Sequence, residues 1–355
     1  MSELPANFSN SSCPLPLPHA ERIVLGHGSG GKMTHDLVAR LFLPPLDNPI
    51  LRAGDDSGVI EITNGSRLAI STDAHVVAPL FFPGGDIGRL AVCGTVNDVA
   101  MMGATPLYLT ASFILEEGLE VTLLQKVVAS MQAAASEAGV HIVAGDTKVV
   151  QKGNADGLFI TTSGIGVIPP EVEIGGANAR PGDVIILSGP IGDHGIAVLA
   201  ARGELGFEAD VQSDVAPLNH LVETILGVSH GSIHVLRDPT RGGLATTLNE
   251  IARQSQVGIV IREQDIPVRP AVAAVCEILG FDPLYVANEG KLVAIVDHSI
   301  AGETLIAMRN SGYGKEAVII GEVQETPLGR VLMKTTIGST RVVDMLSGEM
   351  LPRIC

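Results

Sequence analysis

Short runs of β-branched and aliphatic residues alternate with stretches of helical apolar spacing along most of this chain, and few architectures accommodate that alternation. In the second half, strand-like segments at 184–188, 232–236, 257–262, 292–296 and 317–323 are separated by helix-like segments. These fall at 193–202, 215–227, 242–254, 270–279 and 301–311, and 331–344 adds further strand. In the first half, 58–62 and 67–72 read as two strands around Asn64-Gly65, a dipeptide suited to a hairpin turn. Residues 86–102 read as a helix and 106–115 as β. Over 121–138, Val121, Leu124, Val127, Val128, Met131, Ala135 and Ala138 mark one apolar helical face, which Gly139 ends. Strands at 140–144 and 158–167 follow. The pattern predicts an α/β (α+β) chain.

Composition narrows this further. Of 355 residues, 46% are hydrophobic but only 3% are aromatic, and Trp is absent. The core must therefore be Val, Ile, Leu and Ala packed close to glycine. The 41 Gly and 21 Pro suit the tight turns of α/β layers. Between Ile168-Pro169-Pro170 and Arg180-Pro181-Gly182-Asp183 periodicity fades among turn-forming residues, which places a domain boundary there. The expected organisation is an arm over 1–20, a first domain over 21–168, a second over 180–345 and a mobile tail over 346–355.

Charge and cysteine usage exclude several classes. With 23 Lys and Arg against 39 Asp and Glu, the net charge is −16, which argues against nucleic acid or an anionic membrane as partner. A nucleotide held through Mg²⁺ stays compatible, because carboxylates bind the metal and the metal binds phosphates. No apolar run is long enough for a transmembrane helix. Residues 1–20 lack a basic start followed by an apolar run, so they read as a disordered arm and not as a signal peptide. Cys13, Cys93, Cys276 and Cys355 show no Cys-x-x-Cys pairing and read as reduced thiols of a cytoplasmic protein.

Four acidic clusters stand near element ends in the first half: Gly54-Asp55-Asp56-Ser57, Ser71-Thr72-Asp73, Asn97-Asp98 and Gly145-Asp146-Thr147-Lys148. Carboxylates gathered from such ends are what Mg²⁺ needs when polyphosphate supplies its remaining ligands. Any one alone reads better as a turn or N-cap aspartate; four in one domain are harder to dismiss. The loop Gly26-His27-Gly28-Ser29-Gly30-Gly31-Lys32 can bring amides and a point charge to phosphate, or serve as a hinge. Met33 after Lys32 breaks Walker A spacing. In the second half, Arg237-Asp238-Pro239-Thr240-Arg241-Gly242-Gly243 precedes a helix, and Asn288-Glu289-Gly290 precedes a strand. Glu289 there fits a buried base or, from spacing alone, more simply a solvated turn. Cys355 ends the chain, where no further chain packs it in place. By itself it reads as an incidental surface thiol; beside the other strings it reads as a thiol carried between sites.

Together these strings resemble the ATP-binding superfamily of aminoimidazole ribonucleotide synthetase, selenophosphate synthetase and thiamine-monophosphate kinase. Within it, the chain from about residue 22 onward is similar to the hydrogenase expression/formation (HypE) family. Pro79-Leu80-Phe81-Phe82-Pro83-Gly84-Gly85-Asp86-Ile87-Gly88 adds to the likeness. Pro352-Arg353-Ile354-Cys355 discriminates most, because the sister families lack a terminal reactive cysteine. The arm before residue 20 falls outside the pattern.

The resemblance implies a two-domain PurM-like ATP-binding fold, with the N-terminal domain forming a dimer core and the tail flexible. It implies that the carbamoyltransferase HypF loads a carbamoyl group on Cys355. ATP-dependent dehydration then gives a thiocyanate, and the cyanide passes to iron on the HypC–HypD scaffold for nickel–iron hydrogenase. Asp55, Asp56, Asp98 and Asp238 would hold Mg²⁺. Gly28, Gly30, Gly31, Lys32, Asp73, Asp86, Asn97, Asp146 and Thr147 would surround ATP, with Asp86 able to serve metal or tail instead. Lys148 would polarise the carbonyl and Glu289 take a proton. From Leu346 to Cys355 the tail reaches roughly 33–36 Å when extended, enough to enter a site or swing out. The rival readings are a superfamily enzyme phosphorylating a free small substrate, an ATP-binding adaptor with a docking tail, and an acidic protein whose aspartates are caps.

Overall fold

A computed structural model describes residues 22–62, 65–203, 209–229, 231–348, 351 and 353–355. The arm expected over 1–20 lies outside these residues, as do Asn64 of the first hairpin and Pro352 of the tail. The described chain opens with a 3-10 turn, Leu25–Gly28, and three short helices: α1 (Lys32–Leu37), α2 (Leu43–Leu46) and α3 (Pro49–Ala53). The hairpin β1 (Gly58–Glu61) and β2 (Arg67–His75) is antiparallel. A small ribbon, β3 (Phe81–Phe82) with β4 (Gly85–Asp86), leads into α4 (Ile87–Met101). β5 (Thr105–Glu116), α5 (Val121–Ala138), β6 (His141–Val150) and β7 (Leu158–Ile168) complete a sheet of order β1-β2-β7-β5-β6. Only β5 and β6 run parallel, as a crossover through α5 requires.

The second sheet begins with β8 (Val184–Leu187) and is interleaved with helices. In chain order these are α6 (Asp193–Ala201), α7 (Asn219–Ser229), β9 (Ile233–Arg237), α8 (Gly243–Gln254), β10 (Gly258–Arg262) and α9 (Pro270–Leu279). β11 (Val293–Val296), α10 (Ala301–Asn310), β12 (Val318–Gln324), β13 (Arg330–Lys334) and β14 (Thr340–Val343) follow. The order is β14-β13-β10-β12-β8-β11-β9, and β10 with β13 is the parallel pair. β8, β9 and β11 are buried along their whole length, which is why β8 and β11 read as unbroken aliphatic runs.

The two sheets share one helix. Every residue of α4 except Arg89 and Asp98 is buried. Asp86 caps it, Oδ1 accepting from the amides of Gly88 at 2.7 Å and Arg89 at 3.3 Å. On one side α4 lies close against β7. A Cβ on Gly164 would stand 2.8 Å from Thr95 Cγ2, and one on Gly166 2.6 Å from Val99 Cγ1, so only glycine permits the approach. On the other side Ala100 and Met101 join a core with Ile186, Leu218, Leu221 and Ile225 of the second sheet's layer.

Two segments depart from the sequence pattern. Helical spacing suggests a helix from 215, but α7 starts at Asn219. Pro217 disfavours helical backbone at Ala216, and the extended stretch turns to α4 instead. The side chain of Asn97 there donates to Ala216 O at 3.1 Å and accepts from Leu218 N at 2.8 Å. The strand expected over 140–144 continues to Val150, because Gly145 through Val150 keep pairing with β5. Asn97→Ala leaves a buried amide and carbonyl without partners, and is expected to lower stability by about 2–4 kcal/mol in equilibrium urea unfolding. An unchanged midpoint would mean the 216–218 stretch is held by other contacts.

Candidate active site

Four segments, α4 among them, meet at one site. β2 brings Asp73, α4 brings Asp98, the loop after β9 brings Asp238 and Arg241, and the turn before β11 brings Glu289. With Cys355 these residues wall a small cavity of about 90 Å³. The tail reaches it by adding to the end of β2. Val76 N–H donates to Cys355 O at 3.1 Å and Ala78 N–H to Arg353 O at 3.2 Å, with Val77 opposite Ile354. Leu351 and Ile354 are buried in the core that holds α4, α5 and α6. The tail expected to be loose is therefore seated, in its inward arrangement. A second cavity of about 190 Å³ lies beside the thiol, between the tail and Gly28, Ser29 and Tyr285.

The pocket gathers negative charge away from water. Burial lifts Asp98 and Asp238 well above the usual carboxylate range, and neighbouring carboxylates push the same way. Burial likewise lifts Glu289, helped by Asp238 and Asp73, and its Oε1 has no protein partner among the described residues. Asp56 is pushed up to about 6 by burial, with Arg237 pulling it back. Arg237 is buried and ties the domains together: Nη1 donates to Asp56 Oδ1 at 2.7 Å and Nη2 to Gly54 O at 2.7 Å. Asp55 accepts the Gly176 amide at 2.7 Å and stands 3.6 Å from Arg237.

The thiol shares these surroundings. Burial pushes Cys355 well above its ordinary range, Arg241 opposes this, and Glu289 and Asp73 reinforce it. The docked thiol is thus neutral, within hydrogen-bonding reach of Glu289. Arg241 donates to Gly28 O at 3.1 Å and lies 3.9 Å from Asp73 Oδ1. Spacing alone gives Arg241 no role. The available signal was a pair of arginines flanking Asp238-Pro239-Thr240 in a chain of net charge −16.

The donor set fits a divalent cation carrying phosphates. Asp56 Oδ2 is buried with no partner among the described residues, and it lies electrostatically against Asp98 and Asp238. Hard carboxylate oxygens in need of positive charge suit Mg²⁺. Among the described residues no three acidic, His or Cys groups form a ready-made metal cage.

Other residues named from the sequence stand elsewhere. Asp86 caps α4, and its Oδ2 accepts from Ser130. Asn97 is occupied by the 216–218 backbone. Asp146, Thr147 and Lys148 lie mid-strand on the exposed edge of the first sheet, where Lys148 pairs with Asp146 at 2.6 Å. Gly28 lines the cavity beside the thiol, and a Cβ on Gly30 or Gly31 would strike Arg241 or the Leu346 carbonyl. Lys32 is exposed, and its amide donates to Leu346 O at 2.7 Å, so this loop holds the root of the tail.

Comparison with known proteins agrees with this architecture. The model of the AIR synthase related protein N-terminal domain matches residues 54–168, and that of the C-terminal domain matches 180–334. Carbamoyl dehydratase HypE of Cupriavidus necator is 58% identical over 334 residues, covering 94% of this chain and 95% of its own. The crystal structure of a HypE–HypF complex superposes with a TM-score of 0.83 at 50% identity, covering 87% of this chain and 99% of that one. A HypE crystallised in complex with ATP gives a TM-score of 0.78 at 52% identity, covering 94% and 100%. A two-domain fold with an acidic pocket closed by its own C-terminal cysteine, and this depth of likeness, lead to one conclusion: the chain belongs to the carbamoyl dehydratase HypE family.

Proposed function

We propose that this chain is an ATP-dependent carbamoyl dehydratase acting on a group carried by its own Cys355. One observation carries the reading: the terminal thiol sits in the acidic pocket, beside Glu289 and Arg241. A thiol placed among these acids and beside Arg241 favours a group carried on the chain over a free substrate. The thiol enters as a thiocarboxamide, R–S–CO–NH₂, and leaves as a thiocyanate, R–S–C≡N.

The amide oxygen is a poor leaving group. ATP supplies a γ-phosphoryl that bonds to this oxygen as the β–γ bridge breaks, so the oxygen departs as phosphate. One N–H proton leaves in each half of the reaction as the C≡N bond forms. Glu289 suits the base, because its carboxyl shares the pocket with the thiol and its Oε1 has no other partner among the described residues. Arg241 sits where a guanidinium can hold the sulfur-bound group. Asp56, Asp98 and Asp238 would hold Mg²⁺, which screens phosphate charge when bound; Asp55 supports them through Arg237. Gly28, Gly30, Gly31, Lys32 and Asp73 border the thiol or the root of the tail.

The remaining assignments follow from the same reading. Two units over 21–168 and 180–345, with a tail over 346–355, let the thiol leave for loading by HypF and return. A relative crystallised with HypF supports that partner; a HypC–HypD complex would receive the cyanide. Exposed Ile70, Tyr108, Ile114 and Val167, which share one face of the first sheet, support a homodimer through that face. Asp146, Thr147 and Lys148 would then serve a neighbouring site. No described helix is long and apolar enough to cross a membrane, and reduced thiols fit a cytoplasmic location.

With HypF and ¹³C-carbamoyl phosphate, label is expected on the C-terminal peptide of the natural chain and absent from Cys355→Ala. Equal labelling of both would place the chemistry elsewhere. Glu289→Gln is expected to load normally yet lose water about 10²–10⁴-fold more slowly, the usual cost of removing a general base; unimpaired water loss would remove Glu289 from that role. A lifted thiol pKa leaves less thiolate at any pH below it. Iodoacetamide at pH 8 should therefore modify docked Cys355 about tenfold or more slowly than a free peptide of the same sequence, the gap closing as pH rises. Peptide mapping separates this site from the other cysteines, and equal rates would mean the thiol is not docked.

A further inference from the structure

Helix α6 lies along the tail, and nothing above uses its side chains. His194, in its first turn, is fully buried, with Phe82 packed edge-on at 5.4 Å between centroids. Its Nε2 stands 2.6 Å from the carbonyl oxygen of Ile354, the residue before the reactive cysteine. Its Nδ1 stands 2.8 Å from Ser213 Oγ. A carbonyl only accepts, so Nε2 carries the proton; in the neutral ring Nδ1 then accepts from the Ser213 hydroxyl. The amide of Val215 donates to the same Oγ at 3.1 Å. Burial lowers the proton affinity of His194, which keeps this neutral tautomer.

The neighbouring residue faces the other reactant. Asp214 Oδ1 accepts the amide of Glu289 at 3.0 Å. A Cβ on Gly290 would fall 1.8 Å from Asp214 O, so the turn bearing Glu289 lies directly on this segment. Lys291 holds Asp214 at 3.3 Å. Two consecutive residues thus connect to both reactants: Ser213, by way of His194, to the backbone beside the thiol, and Asp214 directly to the backbone of the candidate base. Arg353 takes φ of 53°, a left-handed conformation uncommon for a residue with a side chain, so the seated tail needs contacts to hold it. Arg202, at the far end of α6, supplies another by donating to Arg353 O at 3.0 Å.

We infer that His194, oriented by Ser213, is a positioning residue: it grips the Ile354 carbonyl and sets where the Cys355 sulfur stands relative to Glu289. The inference deepens the reading that Cys355 carries the reacting group and rests on it. It also separates two steps. Loading happens with the tail outside and does not need His194; dehydration happens with the tail seated and does.

The test uses the full chain with the carbamoyltransferase, carbamoyl phosphate and ATP, following His194→Leu, His194→Gln and Ser213→Ala by mass spectrometry of the tail. His194→Leu removes the donor. It is expected to load within about twofold of the natural chain but to lose water about tenfold or more slowly, since one buried hydrogen bond is worth up to about tenfold and displacement of the sulfur adds to it. His194→Gln keeps an N–H near the Nε2 position and should restore the rate to within about threefold. Carboxypeptidase digestion with ATP present, which needs no turnover, should trim the His194→Leu tail faster than the His194→Gln tail. Natural-rate water loss with natural protection in His194→Leu would overturn the inference, as would equal slowing in both histidine variants. If His194→Leu does not fold, Ser213→Ala decides: slowing of about threefold is expected, and no change in rate or protection overturns it. A natural chain that never loses water from Cys355 would sink the dehydratase reading, while digestion still reports on the latch.

Discussion

Negative charge held out of water is the constraint on which this site depends. The carboxyl groups of Asp56, Asp98, Asp238 and Glu289 are withdrawn from water close enough to raise one another's proton affinity. Desolvating several carboxylates together is unfavourable unless positive charge offsets it. Arg237 answers for part of it from below and Arg241 from the side of the thiol. What stays unbalanced is a standing demand for a cation, which Mg²⁺ with phosphates would meet. The same surroundings keep the docked thiol neutral. A neutral thiol is a poor nucleophile, so these surroundings favour a sulfur that already carries its group over an attacking thiolate.

The fold serves that demand through α4. Glycines on β7 let the helix sink onto the first sheet, while Asn97, Ala100 and Met101 face the second layer. Asp98 is therefore delivered to the seam where Asp238 and Glu289 arrive from the other side. The tail closes this seam as part of the core. Burying Leu351 and Ile354 favours the seated tail, and ordering its backbone opposes it. Such a tail can be shifted by whatever binds the inward or the outward state.

Much of this was legible in the sequence. The helix over 121–138 and the one over 270–279 have the limits their apolar spacing and closing glycines suggest. Asp98 and Asp238, read as metal ligands, and Glu289, read as a base or a turn residue, meet in one cavity with Cys355. The misses share a cause: long-range pairing that no local pattern records. Gly145-Asp146-Thr147-Lys148 looks like a turn and is strand, because β5 supplies partners for its backbone. Asn97 looks like a ligand beside Asp98 but is taken by the 216–218 stretch, which Pro217 keeps from being helix. His194 and Ser213 give no signal at all, since their partner lies at the end of the chain.

The central claim is that a nitrile is made on the terminal sulfur. Infrared spectroscopy of the intact chain, loaded at Cys355 with a ¹³C-labelled carbamoyl group and freed of the carbamoyltransferase, tests it most directly. On adding Mg²⁺ and ATP, a protein-bound C≡N stretch should appear, isotope-shifted by the label, and be absent when a non-hydrolysable ATP analogue replaces ATP. ATP consumed by the loaded chain with no nitrile band would contradict the account.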